Sequence, residues 1–366
     1  MYAVDIPRTV DDVTPEWLTE ALQQKGTIRD TAVESFDSTE LLGGAVGTIH
    51  RLDMRYSSSQ SQGPESVIIK LPSADEAWRA FINRTGAYER ETRFYAELVS
   101  SLNAQTTTVY HAEMNLTAGD HVLLLEDLQH LSAGDHILGL GEQEAGAAIR
   151  YLSALHSSWW NDRRLDSMPW LKRPGEATTY ERMARIYAEG LECALERLSD
   201  WLPSGIEDLA RKFVQAVPLL FQAVGGSPLT LTHGDFKLGN LFFSYDDKTV
   251  EVTAIDWQEV GAYRGATDVA YFMCWSLNTE ERRRIANRLL EEYHAALLTG
   301  GVPDYSYADF ILDYRRGFFR NLLVLIAANG NMSDGVFESS LTPGLQALCS
   351  RMQTLIDWDC GELIPD

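Results

Sequence analysis

Nine residues, THGDFKLGN at 232–240, gather a carboxylate, an imidazole, an ammonium and an amide in one short loop. A surface turn explains Gly, Asp and Asn there, but not the second acid that follows in VTAIDWQEVG (252–261), on a run that reads as a buried strand. Asp235 and Asn240 are five apart and lead into LFF, and Asp256 ends the strand VTAI. A strand–turn–strand hairpin brings Asn240 and Asp256 side by side at one open edge. An amide oxygen and a carboxylate, completed by water and phosphate oxygens, suit Mg2+, a hard ion that rarely takes a full protein cage. Asp235 is then placed to accept a proton from a hydroxyl, and Lys237 to reach a transferring phosphoryl group. This is the logic of phosphoryl transfer: a base Asp, a metal Asn, and a metal Asp on a following strand.

Such a loop needs a scaffold. In RLDMRY, Leu52, Met54 and Tyr56 alternate as in a strand, and SVIIK after the polar SSSQSQG is a β-branched run ending at Lys70. The pair predicts a hairpin, and HVLLLEDL (121–128) a further strand. Residues 75–100, with YERETRFYAELV, read as one or two helices. From about 142 the period turns helical: Ile149, Leu152, Leu155 and Trp159 recur at three and four spacing, and helices suit 205–224, 307–328 and 343–358. Thr178 with Glu181, and Asn278 with Glu281, are candidate capping boxes. The expected division is an N-terminal lobe over 1–127, a small sheet with a helix laid on it, and a mainly helical lobe over 128–366 around a strand-and-loop island at 229–256. The cleft between such lobes is the expected site.

Composition narrows the partners. The chain has 366 residues, 31 Lys and Arg against 53 Asp and Glu, and a formal net charge of −22, a field that repels nucleic acid. Cys193, Cys274, Cys349 and Cys360 are scattered, with no CxxC pair, which argues against a metal or disulfide framework and fits a reducing cytoplasm. The first residues, MYAVDIPRTVDDVTPEW, lack the apolar core of a signal peptide, and NLLVLIAANG near 321–330 is too short to span a bilayer, so no membrane partner is expected.

The run LTHGDFKLGNLFF…VTAIDWQEVGAYRGATDVAYFM resembles the catalytic core of the aminoglycoside phosphotransferase and choline kinase superfamily, and more narrowly its ecdysteroid-kinase-like branch. HGD stands where protein kinases carry HRD, and IDW where they carry DFG. The resemblance is strong at 232–272, moderate at 66–128 and weak beyond 280. It implies an α+β, protein-kinase-like bilobal fold and transfer of the ATP γ-phosphate to a small-molecule hydroxyl, with ATP and Mg2+ as cofactors.

The resemblance also assigns residues in the first lobe. Gly43, Gly44 and Gly47 in LLGGAVGTIHRL stand where a glycine loop approaches phosphates, and a plain hairpin turn explains them about as well. Lys70 matches the lysine that holds the α and β phosphates, and Glu91 the helix glutamate that orients it. Glu89, two positions away, cannot share that helix face. Backbone groups around Glu126 and Leu128 match the hinge that meets adenine. Asp268 and His233 match residues that brace the catalytic loop, and His156 reads as a core histidine. Trp159, Trp160, Trp170 and Trp275 are candidates for an acceptor wall, aromatic clusters being more often core. Arg315 and Arg320 in DYRRGFFRN are expected to tune acceptor choice.

The reading is a small-molecule O-phosphotransferase with Asp235 and Lys237 catalytic and Asn240 and Asp256 on the metal; its acceptor and oligomeric state are not legible. A nucleotide-binding pseudokinase acting through partners is the alternative, although Lys70, Glu91, Asp235, Asn240 and Asp256 are all present. A metal-dependent hydrolase needs more ligands near His233, Asp235 and Asp256. A protein kinase needs an APE-like element after Asp256, which the sequence lacks.

Overall fold

The computed structural model describes residues 6–41, 46–58, 63–135, 137–173, 177–246, 249–340 and 342–365. The chain divides into two compact units, one of 1–102, 106–131 and 255–259, the other of 103–105, 132–254 and 260–366.

The first unit opens with α1 (Pro15–Gln24), which sequence reading passed over despite its signal: Thr14 caps Trp17 N–H at 3.1 Å and Pro15 stands at the first helical position. Five antiparallel strands follow as β1 (Val33–Glu40), β2 (Gly47–Tyr56), β3 (Ser66–Pro72), β4 (Val109–Asn115) and β5 (Asp120–Glu126), in the order β1-β2-β3-β5-β4. β2 and β3 form the expected hairpin, with Leu52 opposite Val67 and Ile49 opposite Lys70. Alternation sends Val67, Ile69 and Leu71 into one core with Trp17, Leu18 and Leu22 of α1, and so turns Lys70 to the other face. On that face α3 (Ala87–Arg93) lies against β4 and β5, and α2 (Glu76–Thr85) packs on α3. Gly86, at φ 76°, ends α2 in the left-handed conformation that glycine adopts without strain, so the expected helical stretch is broken in two.

Residues 255–259 are stitched into this unit. Trp257 stacks on Phe94 at 4.0 Å, and Arg90 Nε donates to the carbonyl of Gln258 at 2.7 Å.

The second unit begins with β6 (Ser132–Ala133), α4 (Glu142–Ser158), α5 (Ala177–Leu198) and α6 (Ile206–Val224). α5 starts one residue before Thr178, so Thr178 sits in the first turn and not at the cap. The island comprises β7 (Thr230–Thr232), β8 (Leu241–Tyr245), β9 (Val250–Ala254) and β10 (Gly261–Tyr263). β8 and β9 form a hairpin with Leu241 opposite Ala254, while β7 pairs with β10. Among the described residues there follow α7 (Ala266–Ser276), α8 (Thr279–Thr299), α9 (Tyr307–Asn331), α10 (Asp334–Ser340), α11 (Pro343–Arg351) and α12 (Gln353–Asp357). Asn278 caps α8 by accepting from Glu281 N–H at 2.9 Å, and the expected helix over 343–358 divides at Met352. No helix among the described residues is long and apolar enough to cross a membrane.

α5 and α9 cross where Gly190 meets Gly330, and a Cβ on Gly330 would run into the carbonyl of Gly190. Gly330→Ala is expected to cost about 1–3 kcal/mol, because two backbones must part. Gly335→Ala, where nothing lies within 4 Å of the added carbon, serves as the control. Urea melts of the two variants check this, and equal midpoints would count against it.

Candidate active site

In the first unit three ionisable side chains from distant parts of the chain converge. Lys70 Nζ lies 2.6 Å from Glu91 Oε1 and 2.9 Å from Asp256 Oδ1. Burial works against the ammonium, yet Asp256 and Glu91 outweigh it and hold Lys70 above the ordinary lysine value. Glu91 is pushed up by its burial, with Asp256 adding to the rise and Lys70 opposing it. Glu89 pairs instead with Arg93 at 3.0 Å, as expected for the other helix face. Asp256 has φ 68°, a left-handed conformation that Asp tolerates better than most residues but that still stores strain. The Trp257 stack that follows holds it there.

The other residues named from sequence in this unit are less uniform. Gly43 and Gly44 lie outside the described residues. Gly47 begins β2, where a Cβ would strike the carbonyl of Leu71, so strand pairing alone demands glycine. Both backbone groups of Glu126 are engaged: its N–H donates to Thr108 O at 2.9 Å and its carbonyl accepts from the Thr107 hydroxyl at 3.3 Å. Leu128 O accepts from Leu131 N–H at 2.8 Å.

In the second unit the catalytic-loop candidates sit between β7 and β8. Gly234, at φ 81°, turns the chain out of β7. Asp268, at the start of α7, fixes that turn by accepting from the N–H groups of His233 at 2.7 Å and Gly234 at 3.0 Å. Burial would raise Asp268, but His156, His233 and the Gly234 N–H bring it below the ordinary carboxylate value, so it braces the loop as an anion. His156 is fully buried, between Tyr293 Oη at 2.7 Å and Asp268 Oδ2 at 3.4 Å, a core position. His233 Nδ1 accepts from Asp235 N–H at 3.2 Å and so supports the loop.

Asp235 gathers the rest. A 3-10 turn at Leu238–Asn240, pinned by Leu238 N–H on Ser276 Oγ at 3.0 Å, brings Asn240 back against it. Asn240 Nδ2 donates to Asp235 O at 2.8 Å and to Oδ2 at 3.0 Å, which leaves the amide oxygen as the acceptor for a cation. Lys237 Nζ is 2.9 Å from Oδ2. Tyr271 Oη donates to Oδ1 at 2.8 Å, a partner that sequence reading missed. Among the four tryptophans, Trp159 is buried under Arg164 and Trp160 leans on Tyr305, whereas Trp275 stacks on Tyr271 at 5.2 Å. Arg315 is tied to Asp359 O at 2.6 Å and to Glu362 at 2.9 Å, a structural role. Arg320 instead caps the Tyr271 ring, with Cζ 4.7 Å from its centroid.

Comparison with known proteins bears on the fold and the family. The solved structures that resemble the chain include a Ralstonia eutropha protein assigned as an aminoglycoside phosphotransferase, 16% identical, covering 95% of this chain and 98% of its own at TM-score 0.55. An amicoumacin kinase bound to AMP-PNP and Ca2+ is 14% identical, with 98% and 97% covered and TM-score 0.52. Choline kinase from Cryptosporidium parvum is 11% identical, with 90% of each chain covered and TM-score 0.51. The fold is thus α+β and protein-kinase-like, as in small-molecule kinases. No curated protein sequence matches the chain significantly. The ecdysteroid kinase-like family model matches residues 44–300, well over half of the chain, and the protein therefore belongs to the ecdysteroid kinase-like family.

Proposed function

We propose that the protein is an ATP- and Mg2+-dependent kinase that phosphorylates a hydroxyl of a small organic molecule. The observation that carries this reading is the Lys70 ammonium held between Glu91 and Asp256, at 2.6 and 2.9 Å. Kinase-type phosphoryl transfer uses that pairing, with a metal carboxylate beside it.

Lys70 holds the α and β phosphates, and backbone at Glu126 and Leu128 meets adenine. Asp235 orients the acceptor hydroxyl and takes its proton while the acceptor oxygen bonds to the γ-phosphorus. The bond from that phosphorus to the bridging oxygen breaks, and ADP leaves. Lys237 neutralises charge on the transferring group, and the protein's share is positioning and electrostatics.

The donor set fits magnesium. Asn240 offers its oxygen because its nitrogen is spent on Asp235, and Asp256 offers a carboxylate. Among the described residues no three His, Cys, Asp or Glu side chains gather as a metal cage, which suits an ion held largely by phosphate and water oxygens. Magnesium bound there would neutralise phosphate charge.

Mg·ATP is offered with choline, ethanolamine, an aminoglycoside and a hydroxylated steroid, and a phosphomonoester is sought by mass spectrometry. Lys70→Ala should cut product formation on the order of 10²-fold or more and leave acceptor binding without nucleotide unchanged. A Lys70→Ala variant that makes product at the native rate would defeat the proposal.

A further inference from the structure

Asp235 carries more donors than a base awaiting its substrate needs. Oδ1 accepts from Tyr271 Oη at 2.8 Å and Lys237 Nζ at 3.1 Å. Oδ2 accepts from Asn240 Nδ2 at 3.0 Å, and the Lys237 ammonium stands 2.9 Å from it as an ion pair. A carboxylate offers about four lone-pair sites; three take hydrogen bonds here, and the Lys237 ammonium crowds the fourth. An acceptor hydroxyl approaching Oδ2 meets the Lys237 ammonium first.

The three donors differ in how readily they leave. Asn240 is buried and bonded to the Asp235 carbonyl as well, at 2.8 Å. Tyr271 is 3% exposed, its ring stacked on Trp275 at 5.2 Å and capped by the Arg320 guanidinium at 4.7 Å. Lys237 has a side chain 29% exposed on a flexible stem, so it is the donor freest to swing from Asp235 toward a transferring phosphoryl group.

Resting on the reading of Asp235 as the base, we propose that Tyr271 is a positioning residue. Its hydroxyl holds Oδ1 from the protein side, Asn240 holds Oδ2, and the acceptor hydroxyl enters through the place that Lys237 vacates. Arg320 acts one step further out, by fixing the Tyr271 ring. Without the phenol hydroxyl the carboxylate keeps its identity but loses its fixed aim. Turnover then falls while binding does not.

Tyr271→Phe keeps the ring and its stacking and removes only the hydroxyl. The probe is Mg·ATP with water as the acceptor, read as phosphate release. We expect kcat to fall about 10- to 100-fold, the worth of a hydrogen bond to a charged group, with the Kd for AMP-PNP and the Tm unchanged. A native kcat overturns the proposal, and so does a joint loss of Tm, Kd and kcat, which marks a packing role. A double-mutant cycle adds a second measure: if Tyr271 works through Asp235, adding Tyr271→Phe to Asp235→Asn costs nothing more, and additive losses overturn the idea. The two readings also fail differently. A fully active Asp235→Asn rejects the base itself, whereas a dead Asp235→Asn beside a fully active Tyr271→Phe rejects only the positioning role.

Discussion

Asp235→Asn should lower turnover by about 10²–10⁴-fold while nucleotide binding persists. The substitution keeps the outline of the side chain and removes the proton acceptor. It also sets an amide where three donors converge, so Lys237 loses the ion pair seen at 2.9 Å. The loop should nevertheless stay in place. Its turn is fixed by Asp268, which holds the N–H groups of His233 and Gly234 independently of the Asp235 carboxylate. Loss of rate without loss of fold is therefore the expected signature, with AMP-PNP titration reporting binding and a thermal melt reporting fold. Turnover within a few-fold of native would remove Asp235 from the mechanism.

The parts of this site that could be read in advance are those whose chemistry is local. Lys70 ends a β-branched run, and strand alternation alone turns it away from the core of Val67, Ile69 and Leu71. Glu91 separates from Glu89 by helix geometry, and the structure pairs them with Lys70 and Arg93 respectively. Asp235 and Asn240 fall in one loop, where the 3-10 turn at Leu238–Asn240 brings them into contact. Tyr271 was not legible, because DVAYFM reads as a buried helix face and nothing local says that its hydroxyl meets a carboxylate 36 residues earlier. The place of Arg320 over the Tyr271 ring was not legible for the same reason. Nor does sequence show why Asp256 takes a positive φ, since its neighbour Trp257 is set by a stack on Phe94 from a distant helix.

Asp256→Asn should cost turnover on the order of 10³-fold and raise the Mg2+ concentration needed for nucleotide binding, more than Asn240→Ala does. Asn is the better probe than Ala at this position, because it tolerates the left-handed backbone at φ 68° and so leaves strain out of the comparison. What it removes is a full charge, against only a dipole lost at Asn240. The change also takes one of two carboxylates from Lys70, but Glu91 remains at 2.6 Å, so the lysine keeps a partner and the fold should hold. Asn240→Ala acts differently. It deletes the clamp on Asp235 at 2.8 and 3.0 Å together with a metal oxygen, so its main effect belongs on kcat with a smaller shift in Mg2+ dependence. Titrating Mg2+ against AMP-PNP binding and against turnover for each variant separates the two effects. Native Mg2+ dependence in both variants would place the metal on other residues.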